Sequence, residues 1–388
     1  MALPRWARRA AAVVAYVVFL FVLVEVCARV ALSNDRVYYR VKGWDEASSR
    51  LLWVRRRAAG QRFGYQFDKY HATRGWTLWP GLRDVPVFDG RILNSNSHGL
   101  RGRAEYAYQR DPSRHRILIF GDSYTFGDDV SDDETYSQLL EQLLPSTDVL
   151  NLGEHGYGHD QMLLYLRDEG VKYRPDVVIL GYVRFDTYRN LFTFSSYAKP
   201  RFALDSGALR LTNVPVPEPE AILAREPYRS RAWDLVTMVV ERFRWASGAN
   251  ERRMERVSRA ILDEMAATAR QAGAVPVFVY LPALGEVVDP SPGVTANERF
   301  LSTWCAARRA RCLFLRRRFA EAAQRGEVFD TVNHWRANGH RLVAAEIRDY
   351  LLAEGLLPPL PGRPVAAGAA VSPAPARPAA RAPAAAGP

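Results

Sequence analysis

The chain has 388 residues, 48% hydrophobic and 24% charged, an ordinary globular composition that excludes a wholly disordered or fibrous protein. Its three cysteines exclude a disulfide scaffold. The formal charge of +11 rests on 49 Arg and only 4 Lys. A phosphate-binding surface has no physical reason to avoid lysine this strongly, so compositional bias explains the charge and no nucleic-acid partner is expected.

At the amino end, residues 1–9 carry Arg5, Arg8 and Arg9 and read as a cytoplasmic tail. An apolar run follows from Ala10 to Leu32, interrupted by Glu25, Cys27 and Arg29. As a helix it measures about 34 Å, enough to cross a bilayer core. Glu25 and Arg29 are spaced to pair near the outer interface. A cleaved signal peptide is the alternative, but Arg29 after Val26-Cys27-Ala28 makes a poor cleavage site, so residues 10–32 read as a signal anchor. Basic residues flank both sides of the span. The short amino tail before a long globular region still favours export of the carboxyl side, placing the protein in the inner membrane with a periplasmic domain.

Residues 33–115 form a lead-in segment. Within it, Trp76, Trp79 and Phe88 either cover a substrate or pack as core. Five strand-like runs follow at 116–120, 148–152, 176–182, 275–281 and 311–315. Most are continuous apolar runs, the pattern of a parallel sheet covered on both faces. Helical stripes alternate with them, such as Tyr136, Leu139, Leu140 and Leu143, or Val257, Ile261, Met265 and Ala269. The alternation predicts a doubly wound α/β sheet, with its site beyond the carboxyl ends of the strands. Gly-rich or polar segments stand there: Gly121-Asp-Ser-Tyr-Thr-Phe-Gly127, Gly153-Glu-His-Gly-Tyr-Gly158, Arg184-Phe-Asp-Thr-Tyr-Arg-Asn190 and Asp330-Thr-Val-Asn-His-Trp-Arg-Ala-Asn-Gly-His340.

Residues 190–250 form an insertion that leaves from the site end of the sheet and is placed to cover the substrate, with a hairpin around Ser206-Gly207. His155 and His159 are read as loop polarity rather than a metal pair. Arg55–Arg57 and Arg316–Arg318 are read as solvated faces. Cys305 and Cys312 either bridge or leave a buried thiol. Residues 356–388 are Pro- and Ala-rich without an aromatic and predict a disordered tail.

Strand-Gly121-Asp122-Ser123, Asn151-Leu152-Gly153 and His334 with Gly339-His340 together resemble the SGNH (GDSL-type) hydrolase superfamily, over about residues 90–355. Asn94-Ser-Asn-Ser-His-Gly-Leu-Arg-Gly102 is similar to its membrane-anchored bacterial members. The resemblance implies a three-layer α/β/α flavodoxin-like sandwich over 116–355, with a five-stranded parallel sheet, and a serine acyl hydrolase or acyltransferase. It implies Ser123 as nucleophile, His334 as general base, and the Ser123 and Gly153 N–H groups as oxyanion donors. No metal or cofactor is required.

Two positions depart from the pattern. Aligning Asp186 with the family's Asp puts Phe185 where an oxyanion Asn belongs, so Arg184 or Asn190 is expected to substitute. The triad acid belongs three residues before the His, where Thr331 stands, and Asp330 is expected to serve instead. Asp122 either holds the site loops or caps a helix. The expected substrate is an ester or O-acylated glycan of the envelope. The rival readings are an O-acyltransferase for an extracellular polysaccharide and a catalytically impaired scaffold.

Overall fold

The computed structural model describes residues 4–58, 67–88, 90–283, 285–329 and 334–357. The expectations for Asp330 and for the tail beyond residue 357 fall outside these residues.

The central sheet has five strands, β1 (His115–Gly121), β2 (Thr147–Gly153), β3 (Val177–Tyr182), β4 (Val275–Tyr280) and β5 (Arg311–Phe314), each within one residue of the expected run. All neighbours pair in parallel, in the order β5-β4-β3-β1-β2. The order reverses between β1 and β3, which makes the crevice above them the switch point.

Three amino-terminal helices come first: α1 (Arg5–Ser33), α2 (Asp35–Val41) and α3 (Glu46–Ala58). The domain adds α4 (Ser123–Phe126), α5 (Tyr136–Leu143), α6 (His159–Asp168), α7 (Asp186–Arg189), α8 (Pro219–Arg225), α9 (Arg231–Ala246), α10 (Ala249–Gln271), α11 (Ala296–Arg308), α12 (Arg316–Gln324) and α13 (Ala337–Ala353). Side chains alternate across the strands, as the pleat requires. Leu118, Phe120, Val178, Leu180 and Phe278 meet α6, α10 and α11 on one face. Ile117, Ile119, Ile179, Val277 and Val279 meet α5, α12 and α13 on the other. This is the expected three-layer sandwich.

Helix α1 is long and apolar enough to cross a membrane, and none of its most apolar window is buried. Its last turns behave differently: Ala28 and Leu32 are buried. The insertion corrects one expectation. Its hairpin, Arg201–Asp205 with Ala208–Thr212, packs on α10 and α6, and α9 packs on α1, α3 and α10, so its regular elements lie against helices rather than over the site. Cys305 and Cys312 are bridged, which closes α11 onto the start of β5.

Candidate active site

Strand β1 ends on Gly121 and turns directly into α4. Asp122 caps that turn by accepting the Tyr124 N–H at 3.0 Å. Ser123 is therefore the first helical residue, where an N–H has no intrahelical acceptor. Three glycines at adjacent strand ends make room for α4. A Cβ on Gly121 would lie 2.6 Å from Thr125 Cβ, one on Gly153 2.7 Å from the Thr125 carbonyl carbon, and one on Gly181 2.5 Å from Thr125 Oγ1. The turn into α4 sits where a side chain at any of those three positions would displace it.

Ser123 Oγ lies 2.8 Å from His334 Nε2. His334 arrives from the segment before α13, and its Nδ1 lies 3.2 Å from Asp129 Oδ2. Asp128 Oδ2 stands 4.0 Å from Nε2. Burial works against charge on His334, but the hydrogen bond with Asp129 and the charges of Asp128 and Asp122 outweigh it, and the pKa is raised above the ordinary imidazole value. Burial also pushes the Asp128 carboxyl up to about 6. The arrangement holds a hydroxyl, a base and a carboxylate in line, the geometry of nucleophilic acyl chemistry.

Asp129 was not among the expected site residues. It has φ +69° and follows Gly127 at φ +93°, so the loop after α4 turns back through left-handed backbone and carries the carboxylate to His334. The lead-in segment fixes this loop. Arg101 is buried and donates from Nη1 to the Phe126 and Gly127 carbonyls at 2.6 Å and from Nη2 to the Val130 carbonyl at 2.7 Å. Its Nε meets Asp132 at 3.0 Å. The Asn94–Gly102 segment thus positions the acidic loop.

Gly153 differs from its expected part. Its N–H donates to Asn151 Oδ1 at 2.9 Å and is already committed. Asn151 Nδ2 donates to the Thr125 carbonyl and to Ser137 Oγ, both at 2.9 Å. Asn151 and Gly153 therefore clamp α4 to β2.

Neither expected substitute for the oxyanion Asn reaches the site. Arg184 pairs with Glu251 at 2.5 Å and also bonds Thr187, against α10. Asn190 is buried, donating to Ser258 Oγ at 2.9 Å and accepting from the Asp160 N–H at 3.2 Å. The residue that does reach the site is Arg189. Its guanidinium lies 4.9 Å above the Phe185 ring, and Phe185 in turn neighbours Tyr124. Arg189 Nη1 contacts Asp186 Oδ1 at 2.5 Å, the Tyr157 carbonyl at 2.9 Å and Asp122 Oδ2 at 3.5 Å. Asp122 Oδ2 is itself 3.5 Å from Ser123 Oγ. Burial and the neighbouring Asp122 push the Asp186 carboxyl well above the usual carboxylate range. Asp122 both caps α4 and joins this group.

His155 pairs with Asp68 at 3.1 Å, and its pKa is pushed up to about 9, Asp68 outweighing burial. His159 stacks on Tyr182, and burial lowers it to about 3. The two histidines face different partners. His340 is buried and accepts the Tyr136 N–H at 3.2 Å. Trp76 is core and donates to the His155 carbonyl. Arg316 is buried against Glu298 at 2.9 Å, so the Arg316–Arg318 run is not a wholly solvated face.

No protein-family model matches the chain, and no curated protein matches it. Among solved structures, it is similar to a lipolytic protein of the G-D-S-L family from Veillonella parvula (16% identity, 61% of this chain and 97% of that one, TM-score 0.36). It is similar to TesA (14% identity, 63% and 100%, TM-score 0.37). It is also similar to an acetylxylan esterase from Geobacillus stearothermophilus (12% identity, 63% and 96%, TM-score 0.35). With likenesses of this size, the reading of the site rests on its own geometry.

Proposed function

We propose that the protein is a membrane-anchored serine acyl hydrolase of SGNH type, acting on ester-linked acyl groups of an envelope carbohydrate or lipid. The observation that carries the reading is the 2.8 Å contact between Ser123 Oγ and His334 Nε2 at the switch point of the sheet, with Asp129 on the other ring nitrogen.

Ser123 Oγ attacks the ester carbonyl carbon while His334 Nε2 takes its proton. Asp129 keeps the remaining proton on Nδ1 and steadies the imidazolium. Collapse of the tetrahedral intermediate expels the alcohol, which takes the proton from His334. Water then repeats the sequence on the acyl-enzyme. The Ser123 N–H meets the oxyanion. Arg189 takes over from the absent Asn: Nη1 is held by Asp122, Asp186 and Tyr157, and Nε and Nη2 have no acceptor among the described residues and serve as donors.

Helix α1 serves as the anchor with the domain outside the cytoplasm. The Cys305–Cys312 bridge suits an oxidising compartment. The same residues carry acyl transfer where a sugar hydroxyl takes the place of water. The Ser123–His334 contact weighs against a catalytically impaired scaffold. The test is turnover of p-nitrophenyl acetate by the wild type and by Ser123→Ala, with and without an added glycan acceptor. Turnover that depends on Ser123 and ignores acceptor supports hydrolysis. Acceptor-stimulated turnover with acetylated glycan replaces hydrolysis by transfer, and equal rates for both proteins overturn the enzyme reading.

A further inference from the structure

Helix α9 is amphipathic in the wrong sense for a helix facing water. Asp234 and Met238 turn inward, while Trp233, Val236, Val240 and Phe243 recur at i, i+3, i+7 and i+10 on the outer face. That face is open: Trp233 is 67% exposed, Val236 49% and Phe243 69%, and Tyr228 just before the helix is 89% exposed.

The start of α9 is tied to α1. Glu25 accepts from Ser230 Oγ at 2.7 Å, the Arg231 N–H at 2.9 Å and the Ala232 N–H at 3.0 Å. Arg29 Nη2 donates to the Arg229 carbonyl at 2.9 Å. Glu25 lies seven residues before Leu32, about 10 Å along the helix. The first turn of α9 therefore sits level with the outer part of the apolar run, not beyond it. Aromatic side chains at that level belong to a membrane interface. Next to them, Arg225 and Arg229 line a cavity of about 380 Å³ between α3, α8 and α9, which Trp233 also lines. The acids that line the cavity have other partners, Asp234 pairing with Arg50 and Arg231 and Glu46 with the Thr193 N–H and Arg201, and Glu226 pairs with Arg50 and Arg231 as well.

We infer that the Glu226–Ser230 turn and the outer face of α9 form a second membrane contact, seated in the outer interface of a bilayer with anionic headgroups. The apolar stripe enters the acyl boundary, and Arg225 and Arg229 meet headgroup phosphates. The inference rests on the proposed membrane-spanning role of α1. It gives the domain two attachments and so a fixed tilt over the membrane, which a single helix does not provide.

The test uses the full chain in vesicles of phosphatidylcholine with phosphatidylglycerol, spin-labelled at Val236→Cys or, separately, at Val17→Cys, both with Cys27→Ala. Collision with oxygen reports lipid and collision with a water-soluble nickel complex reports solvent. The expected result is several-fold preference for oxygen at both sites. Oxygen preference at residue 17 with nickel preference at residue 236 overturns the inference and leaves the anchor standing. Shielding of residue 236 from both reagents also overturns it, in favour of a second copy of the chain. Nickel preference at residue 17 overturns the anchor and the inference together. Arg225→Gln with Arg229→Gln is expected to lower the oxygen preference at residue 236 more in these vesicles than in pure phosphatidylcholine; an equal effect removes the headgroup contact from the inference.

Discussion

Replacing Asp129 by Asn keeps the size and shape of the side chain and removes its charge. In the native site Asp129 Oδ2 lies 3.2 Å from His334 Nδ1 and is the strongest influence raising the pKa of that base. An amide offers an N–H donor as readily as a carbonyl, which permits the tautomer with the proton on Nε2, where it cannot accept from Ser123. Loss of the carboxylate from such a triad costs about 10⁴ in kcat. The sign of the pH effect follows from the same contact. Catalysis needs neutral His334, so the native kcat/KM rises with pH through the raised pKa. Asp129→Asn lowers that pKa, and the acid limb moves to lower pH while the plateau falls. The assay is the pH profile of p-nitrophenyl acetate hydrolysis, run beside Asp330→Asn. An Asp129→Asn enzyme within about tenfold of wild type, with an unmoved acid limb, refutes the reasoning, above all if Asp330→Asn collapses instead.

Arg189→Lys keeps a cation near Asp186 and Asp122 but loses the guanidinium fork, and kcat is expected to fall by about 10²–10³ with little change in KM; circular dichroism of the variant checks that the fold is intact. Gly153→Ala pushes a methyl group against the Thr125 carbonyl carbon at 2.7 Å, and thermal unfolding should show a loss of about 1–3 kcal/mol together with reduced kcat. Arg101→Gln breaks a buried pair with Asp132 and frees three loop carbonyls, so a loss of about 3–5 kcal/mol is expected in urea unfolding. Reducing the Cys305–Cys312 bridge releases only a short loop, for an expected loss of about 2.5 kcal/mol without loss of activity.

The sheet was legible because a strand buried on both faces is apolar almost throughout, and four of the five strand-like runs are continuous apolar stretches. Ser123 and His334 were singled out through the family resemblance of Gly121-Asp122-Ser123 and of His334 with Gly339-His340, and the structure brings their side chains to 2.8 Å. Asp129 was not, since its part depends on two left-handed residues and on Arg101, an arginine from outside the sheet domain. Hydrogen-bond commitments were equally hidden. The sequence places Gly153 at the end of β2, but only the structure places its N–H on Asn151. Arg184 and Asn190 flank Asp186 in sequence, yet α7 turns them toward α10 and leaves Arg189 against Asp122, next to Ser123. The outer face of α9 was hidden for another reason: which face of a helix is covered depends on what packs on it, and here α1 does.

Above all, we propose that Ser123 is a nucleophile activated by His334. It is tested most directly by treating the folded protein with a fluorophosphonate and locating the adduct by peptide mass spectrometry. Modification is expected on Ser123, with none in Ser123→Ala and greatly slowed modification in His334→Ala. An intact, folded protein that takes up no phosphonate at Ser123 contradicts it.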